Sequence, residues 1–412
     1  MQDVSTSRTY NDYGEVETYG VQYLSSYLYS AGFVRDDLGR ITEKTETVDG
    51  TTKVYEYGYD LAGRLEKVWV DSELVSKYEY DDNGNRTKYI DDPNGAADEY
   101  AGTYDDQDRL LTYGPHNYAY TANGELSSKK FGLITVADYD YDVFGNLRSV
   151  DFGSDMIEYV IDGQNRRIGK KINGSLVQGF LYMDQLNPIA ELDGNGDMVS
   201  LFIYGTRSNV PDYIVKADGY YRIISDHLGS PRLVVKTSTG AVVQRMDYDE
   251  FGNVTLDTNP GFQPFGFAGG IYDADTGLVR FGWRDYDPEV GRWTSKEPLR
   301  FDGGDTNLYG YAIFDPINYY DLNGLEYGWA GVVGGIAAGL GVPAGLLLYY
   351  GVGLSATPAA VVGGVLIVIG GGLMIYDALE GAKEVEKAKN ITDSLLEEAD
   401  KLNQVCEEAE SQ

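Results

Sequence analysis

Cysteine, histidine and basic residues are scarce in this chain of 412 residues. Cys406 is the only cysteine, which excludes a disulfide framework and any metal site built on paired cysteines. The two histidines, His116 and His227, are too few for a histidine-rich metal centre, and we expect no cofactor. Lysine and arginine total 33 against 65 aspartates and glutamates, which gives a net charge of −32. Because phosphates would be repelled, the composition excludes nucleic acid as a partner and favours a soluble extracellular surface.

A secretory signal is also missing, since residues 1–20 have neither a basic beginning nor an apolar stretch. The first residues already show a strand and turn pattern, so we expect the C-terminal part of a longer protein or the product of a truncated gene. Proline is rare at 12 residues, whereas 36 tyrosines and 52 glycines are present. Tyrosine suits pleated strands and glycine suits tight turns, so the composition predicts many short strands.

A unit of about twenty residues repeats along the chain. In each copy a tyrosine ends a strand, and an aspartate bonds forward to backbone N–H groups of a turn. Glycine, or asparagine and aspartate in degenerate copies, takes the left-handed conformation of that turn. Polar and apolar residues alternate between copies, which predicts antiparallel hairpins and a turn role for the repeated aspartates. The clear copies are Tyr59–Leu65, Tyr80–Asn85, Tyr120–Leu126, Tyr141–Leu147 and Tyr248–Asn253, and the degenerate ones are Asp36–Ile41, Tyr104–Arg109 and Ile161–Arg166.

These units resemble the YD repeats of the Rhs family, which includes bacterial polymorphic toxins, insecticidal toxin-complex C subunits and, in animals, teneurins. Leu181–Leu192 and Asp226–Leu233 match the same family. The strongest match, Phe267–Leu325, resembles the Rhs-associated core and contains the run from Arg284 to Trp293. The resemblance covers residues 1–325. It implies a mainly β fold, in which an antiparallel hairpin array over 1–266 and the core over 267–325 spiral into a full or partial shell around the C-terminal segment.

In bacterial members of the family the core ends in a PxxxxDPxGL motif, and the chain cuts itself after the final leucine by aspartyl-protease chemistry. The resemblance therefore implies a single cut between Leu325 and Glu326, with Asp321 as the motif aspartate. Leu322 stands where the family has proline, and Glu297 stands where the family has the second aspartate. Peptide hydrolysis needs one carboxylate that takes a proton from water and a second, protonated carboxyl that gives one to the carbonyl.

Two further residues are candidates for this catalytic group. Arg292 and Asp315 lie close in sequence to Glu297 and Asp321, so they are expected either to tune the pair or to belong to it. The alternative is that all four residues only form turns and ion pairs under the last strands.

The composition changes at Glu326. Residues 327–376 carry no charged side chain, and two apolar runs within 329–376 each have the length of a membrane-spanning helix. The segment 326–376 is therefore predicted to be a glycine-rich apolar helical hairpin that spans a membrane or lies buried in the shell as a plug. Its first run carries three glycines at a spacing that lets another helix pack closely, namely Gly331, Gly335 and Gly339. Residues 377–412 are predicted to form an acidic amphipathic helix.

Together these patterns predict a shell that encloses its own C-terminal segment as cargo, and a cargo that forms a pore or an anchor in a target or host membrane. An immunity protein is an expected partner, and the expected location is secreted or at the cell surface, with membrane association through 329–376. One rival is a membrane-anchored surface protein whose tyrosine-rich wall binds glycans or surface proteins without toxin activity or catalysis. A second rival is an inert remnant of a longer toxin gene.

Overall fold

The computed structural model describes residues 4–95, 97–325 and 328–329. A single sheet of 24 antiparallel strands takes up the chain as far as Asp257. Each strand pairs with the strands that precede and follow it in the sequence, so the order in space is the order in the chain. The first twelve are β1 Val4–Tyr10, β2 Val16–Tyr23, β3 Ser26–Arg35, β4 Ile41–Val48, β5 Thr51–Tyr59, β6 Leu65–Val70, β7 Glu73–Tyr80, β8 Arg86–Asp91, β9 Asp98–Tyr104, β10 Leu110–Tyr113, β11 His116–Tyr120 and β12 Leu126–Phe131. The others are β13 Ile134–Tyr141, β14 Leu147–Asp151, β15 Met156–Ile161, β16 Arg167–Ile172, β17 Ser175–Tyr182, β18 Pro188–Asp193, β19 Met198–Ile203, β20 Tyr213–Lys216, β21 Gly219–Ser225, β22 Pro231–Lys236, β23 Val242–Tyr248 and β24 Val254–Asp257.

After β24 the chain leaves the large sheet. Residues 258–325, which we name the bracing segment, contain short strands and three single 3₁₀ turns. Four of these strands form a small antiparallel sheet of their own, and a fifth pairs with the described residues that follow the segment. The strands are β25 Ile271–Tyr272, β26 Val279–Phe281, β27 Arg284–Asp287, β28 Arg292–Trp293, β29 Tyr319–Tyr320 and β30 Gly328–Trp329, and the 3₁₀ turns are Phe267–Gly269, Arg300–Gly303 and Ala312–Phe314.

The repeated aspartates hold the turns of the large sheet, as predicted. In a representative copy, the Oδ1 atom of Asp60 accepts hydrogen bonds from the backbone N–H groups of Ala62 and Arg64, both at 2.9 Å. Gly63 has a φ of 87° in this turn, and Asp108 and Asn165 have φ values of 61° at the corresponding positions of degenerate copies. These angles confirm the left-handed conformation expected for glycine and its replacements.

The repeated tyrosines link one repeat to the next. The hydroxyl of Tyr80 donates to the carbonyl oxygen of Leu65 at 2.8 Å, and the guanidinium of Arg64 lies 4.9 Å from the centre of the Tyr80 ring. Both groups belong to the preceding turn, so the tyrosine adds a hydrogen bond and a cation–π contact between neighbouring hairpins. The same two contacts join Tyr59 to Ile41 and Arg40, and Tyr182 to Arg167 and Arg166.

Copies that end in asparagine instead of arginine contact the bracing segment. Asn85 accepts a 2.8 Å hydrogen bond from Nη1 of Arg292, and Asn146 accepts one of the same length from Nη2 of Arg280. Asn253 donates at 2.9 Å to the carbonyl oxygen of a proline in the segment. The amide both donates and accepts, which suits it to these contacts with the segment.

The sheet curls so that β6 and β7 approach the strands at its C-terminal end. The hydroxyl of Tyr78, on β7, donates at 2.5 Å to Glu250, which lies in the turn between β23 and β24. Leu65 packs in the same buried cluster as Leu233 and Val235 of β22. A second, aromatic cluster fills the bracing segment and contains Phe281, Tyr286, Trp293 and Tyr311. The hydrophobic core therefore lies between the inner face of the sheet and the segment.

The structure confirms the mainly β, antiparallel hairpin array. It describes only residues 328–329 of the predicted apolar hairpin, and these form a strand rather than a helix. The other residues of 326–376, including Gly331, Gly335 and Gly339, and the whole predicted helix 377–412 lie outside the described residues. Over the described part of the chain there is no helix with the length and apolarity that crossing a bilayer requires.

Candidate functional site

Asp321 closes the bracing segment with a turn like those of the repeats. Its Oδ1 atom accepts hydrogen bonds from the backbone N–H groups of Gly324, at 2.8 Å, and Leu325, at 3.2 Å. The N–H of Leu325 also donates to the side chain of Asn323 at 2.9 Å. These bonds fix the backbone immediately before the predicted cut.

A buried arginine joins Asp321 to Glu297. Nη2 of Arg284 lies 3.2 Å from Oδ2 of Asp321 and 2.5 Å from Oε2 of Glu297. Nε of the same arginine donates to the carbonyl oxygen of Gly324 at 2.6 Å, and the guanidinium lies 4.1 Å from the ring centre of Trp293. The side chains of all three charged residues are less than a tenth exposed. Two carboxylates therefore share one nitrogen in a site shielded from water.

The carbonyl group of Leu325 lies beside this pair. A Cβ atom placed on Gly303 would lie 2.9 Å from the carboxyl carbon of Glu297 and 3.1 Å from the carbonyl oxygen of Leu325. Glycine at this position therefore lets the two groups approach the same point. The cavity between them, lined also by Arg284 and Asp321, measures about 20 Å³. That volume is enough for about one water molecule and is too small for a second peptide chain.

Burial changes the protonation of this site. Removal from water raises the pKa of Asp321 to about 6, even though the Arg284 charge and three backbone N–H groups lower it. The same burial lowers the pKa of Arg284, against the charges of Asp321 and Glu297, which raise it. Asp321 is therefore a carboxyl that exchanges its proton near neutral pH, as general acid–base chemistry requires.

The other two predicted catalytic residues belong to different networks. Arg292 bonds to Asn85 and lies 4.7 Å from the ring centre of Tyr104, so it links the bracing segment to the repeats. Asp315 accepts hydrogen bonds from the side-chain amide of Asn318 at 2.9 and 3.0 Å, and burial raises its pKa to about 7. The structure brings Asp321, Glu297 and Leu325 together and gives Arg292 and Asp315 other partners. Glu326, on the far side of the predicted cut, lies outside the described residues.

Sequence reasoning missed Arg284 and Gly303. The sequence already showed Arg284 as the first residue of the run from Arg284 to Trp293, and a pair of buried carboxylates needs a cation nearby. No sequence signal distinguished Gly303 from the other glycines, because its importance depends on two groups that approach it from distant parts of the segment.

Comparison with known proteins agrees with the repeat pattern. Residues 1–317 match a family model described as the teneurin YD-shell. Human teneurin-4 is 29% identical over 300 residues, which are 71% of this chain and 10% of teneurin-4. The tRNA3(Ser)-specific nuclease WapA of Bacillus spizizenii is 27% identical over 289 residues, which are 68% of this chain and 12% of WapA. This chain thus spans about a tenth of the length of these relatives.

Among solved structures, a crystal structure of TcdB2-TccC3-TEV aligns with a TM-score of 0.48 at 15% identity, over 78% of this chain and 20% of that chain. The family match extends from the first residue through the large sheet and most of the bracing segment. The repeat turns, the consecutive strand order and this match together show that the chain belongs to the teneurin YD-shell family.

Proposed function

We propose that this chain is a YD shell that encloses its own C-terminal segment and cuts itself once, after Leu325. The observation that carries the proposal is the pair of buried carboxylates on Arg284, which lies beside the Leu325 carbonyl with room for one water molecule. The released segment would begin at Glu326 and would act on a membrane, as a pore or as an anchor.

The chemistry follows from the two carboxyl groups. Glu297 takes a proton from the water molecule as its oxygen attacks the carbonyl carbon of Leu325. Asp321, protonated, gives its proton to the carbonyl oxygen, and a tetrahedral intermediate forms. The C–N bond then breaks as Glu297 gives the proton it took from water to the amine of Glu326, and Asp321 recovers its proton from the former carbonyl oxygen. The carboxylic acid left on Leu325 passes its proton to the released amine and becomes a carboxylate. Because Leu325 stays tied to Asp321 and Asn323 through its backbone N–H, no second substrate replaces it and the reaction occurs once.

One relative carries the name of a nuclease, and that activity belongs to that protein. The composition of this chain instead supports a membrane-active cargo. In this chain, residues 327–376 carry no charged side chain, which favours an apolar environment for the cargo. We place the shell outside the cell or at its surface, with a target or host membrane as partner and an immunity protein as protection for the producer.

The test is the intact mass of the purified chain beside an Asp321→Asn variant. We expect two pieces that meet after Leu325 in the wild type and one 45.4 kDa species in the variant. Asp162→Asn is the matched control, because Asn11 already fills the same turn position in another copy. This control should be cut like the wild type. A single species in all three would remove the protease proposal and favour the anchored surface protein.

The cargo is tested separately. Residues 326–412 expressed alone should arrest growth and release dye from loaded vesicles if they form a pore. Membrane localisation without leakage would assign them the role of an anchor, and a soluble, harmless segment would contradict both.

A further inference from the structure

A cavity of about 530 Å³ lies on the inner face of the curled sheet, between β4–β8 and β22–β24. Its floor contains Leu228, Phe267 and Ile317, which are buried. Thr51 and Thr255 line it from exposed positions and mark its mouth. This volume falls within the range of small-molecule sites, and the proposed cleavage pair does not line the cavity.

A chain of ion pairs crosses the cavity at one end. Lys44 lies 3.6 Å from Glu46, Glu46 lies 3.3 Å from Arg232, and Arg232 lies 2.8 Å from Asp247. Asp247 in turn lies 2.8 Å from Arg245. Three cations therefore share two carboxylates, and we name this end the cationic end.

Two further observations show unused donors there. Lys53 lines the cavity from an exposed position and makes no ion pair within the described part of the chain. Arg232 is 5% exposed, and its Nε atom has no hydrogen-bond partner among the described residues. A buried donor without a partner costs free energy, which a ligand with an acceptor group would recover.

The opposite end carries acids. Neither Glu250 nor Asp91 forms an ion pair with any described residue, and both line the cavity beside the ring of Tyr89. The adjacent Asp249 also lines this end, and burial together with the charge of Glu250 raises its pKa to about 7. We name these residues the acidic end. Tyr89 stacks between Tyr78 and Tyr100, with ring centres 5.0 and 5.7 Å apart, so both faces of its ring are covered and the acids alone face a ligand cation at this end.

Apolar residues separate the two ends. Val68, Val70 and Val75 line the cavity on strands between those that carry Lys44 and Asp91. The remaining acid of the cavity, Asp226, already accepts backbone N–H bonds from its own turn. The cavity therefore offers a positive end, an apolar middle and a negative end.

We propose that this cavity binds a short peptide in its zwitterionic form. Its terminal carboxylate lies at the cationic end, near Arg232 and Arg245, and its α-ammonium lies at the acidic end, near Glu250 and Asp91. A ligand with a single charge would satisfy one end and leave the other desolvated without a partner. A peptide with free termini satisfies both ends, and its aliphatic side chains contact the valines.

Calorimetry on the full chain tests this with trialanine and two capped forms, trialanine amide and N-acetyl trialanine. We expect saturable binding of trialanine and at least tenfold weaker binding of each capped form. Arg245→Gln should weaken trialanine at least tenfold and leave the affinity for the amide unchanged, since that peptide has no carboxylate to lose a partner. Arg148→Gln is the matched control, because Arg148 is exposed on β14 and does not line the cavity.

Equal affinities for trialanine and its amide would overturn the proposal. The absence of saturable heat up to about 10 mM peptide would also overturn it, because a dissociation constant above that concentration corresponds to a negligible binding free energy. Thermal unfolding of each variant establishes that it folds. If Arg245→Gln does not fold, Lys53→Gln replaces it, because the exposed Lys53 makes no ion pair within the described residues.

Discussion

The aspartate–arginine pairs of the repeat turns differ from the pair that Asp321 forms in the bracing segment. In the repeats, Asp60 pairs with Arg64 four residues later, and the two side chains are 20% and 18% exposed. In the bracing segment, Asp321 pairs with Arg284, which is 37 residues away in the sequence, and their side chains are 4% and 3% exposed. The first arrangement follows from local sequence, whereas the second needs the whole segment to fold.

This difference in burial changes the chemistry of the same two residue types. Burial raises the pKa of Asp36, but hydrogen bonds from Arg40 outweigh it and the net pKa is lowered. At Asp321 burial outweighs the charge of Arg284, and the pKa rises to about 6. The partly exposed turns that arginine closes therefore keep a charged carboxylate, whereas the buried Asp321, like the buried repeat aspartate Asp249, can exchange a proton.

Removing the arginine should produce the largest difference in stability between the bracing segment and the repeat turns. Arg284→Met leaves Asp321 and Glu297 buried without their cation, which should lower the free energy of unfolding by about 3–5 kcal/mol. Arg64→Met, in a partly exposed repeat turn, should cost below about 1 kcal/mol. Urea denaturation of both variants at pH 7 measures the difference. Equal losses would show that the bracing segment and the repeats stabilise their pairs alike.

The close approach at Gly303 gives the second test. Gly303→Ala places a Cβ against Glu297 and the Leu325 carbonyl, which should slow cleavage about 100-fold by displacing one of them. The time course of cleavage after refolding, followed on a denaturing gel, measures this. Gly163→Ala, at a repeat turn with open space around the glycine, should be cut at the wild-type rate. A Gly303→Ala chain that is cut as fast as the wild type would contradict the proposed geometry.

The pKa is raised at Asp315 in the bracing segment and lowered at Asp105 in a repeat turn, and these opposite shifts predict opposite effects of pH on stability. Burial raises the pKa of Asp315 to about 7, so the folded state binds a proton that the unfolded state has released above pH 4. This contribution is full in acid and is lost as pH rises through about 7, by on the order of 1 kcal/mol. Urea denaturation between pH 5 and pH 8 should show this loss, and Asp315→Asn should flatten it.

Asp105, in a repeat turn, is the matched control for Asp315. Burial raises its pKa, but hydrogen bonds from Arg109 and the backbone outweigh this effect and lower it overall. Its contribution is therefore present at neutral pH and is lost as pH falls through the lowered pKa. Asp105→Asn should leave the pH 5 to pH 8 slope unchanged, and a flattened slope in this variant would contradict the comparison.

The smallest expected effect concerns the link between repeats. Tyr80→Phe removes the hydrogen bond to Leu65 and keeps the ring under Arg64, so it should cost about 1 kcal/mol in urea denaturation. Tyr13→Phe is the control, because Tyr13 is 90% exposed. The two variants should differ, and equal stability would mean that the hydroxyl contributes nothing to the joint between hairpins.

The sequence allowed prediction of features whose partners lie within one turn. The aspartate bonds and the left-handed glycines of the repeat turns depend on groups up to five residues apart. The hydroxyl bond of Tyr80 spans 15 residues and was not predicted. The Arg284 pairings and the partners of Arg292 join distant parts of the chain, which one sequence without its fold does not bring together.

The consecutive strand order has a consequence for how the molecule is made. Each strand of the large sheet needs only its predecessor, so hairpins can add one after another as the chain leaves the ribosome. The bracing segment is synthesised after the large sheet, and Asn318 then bonds back to Ile41, 277 residues earlier. Because the bracing segment packs against the repeats, a cut made at the Asp321 site would act as a signal that the preceding repeats have folded.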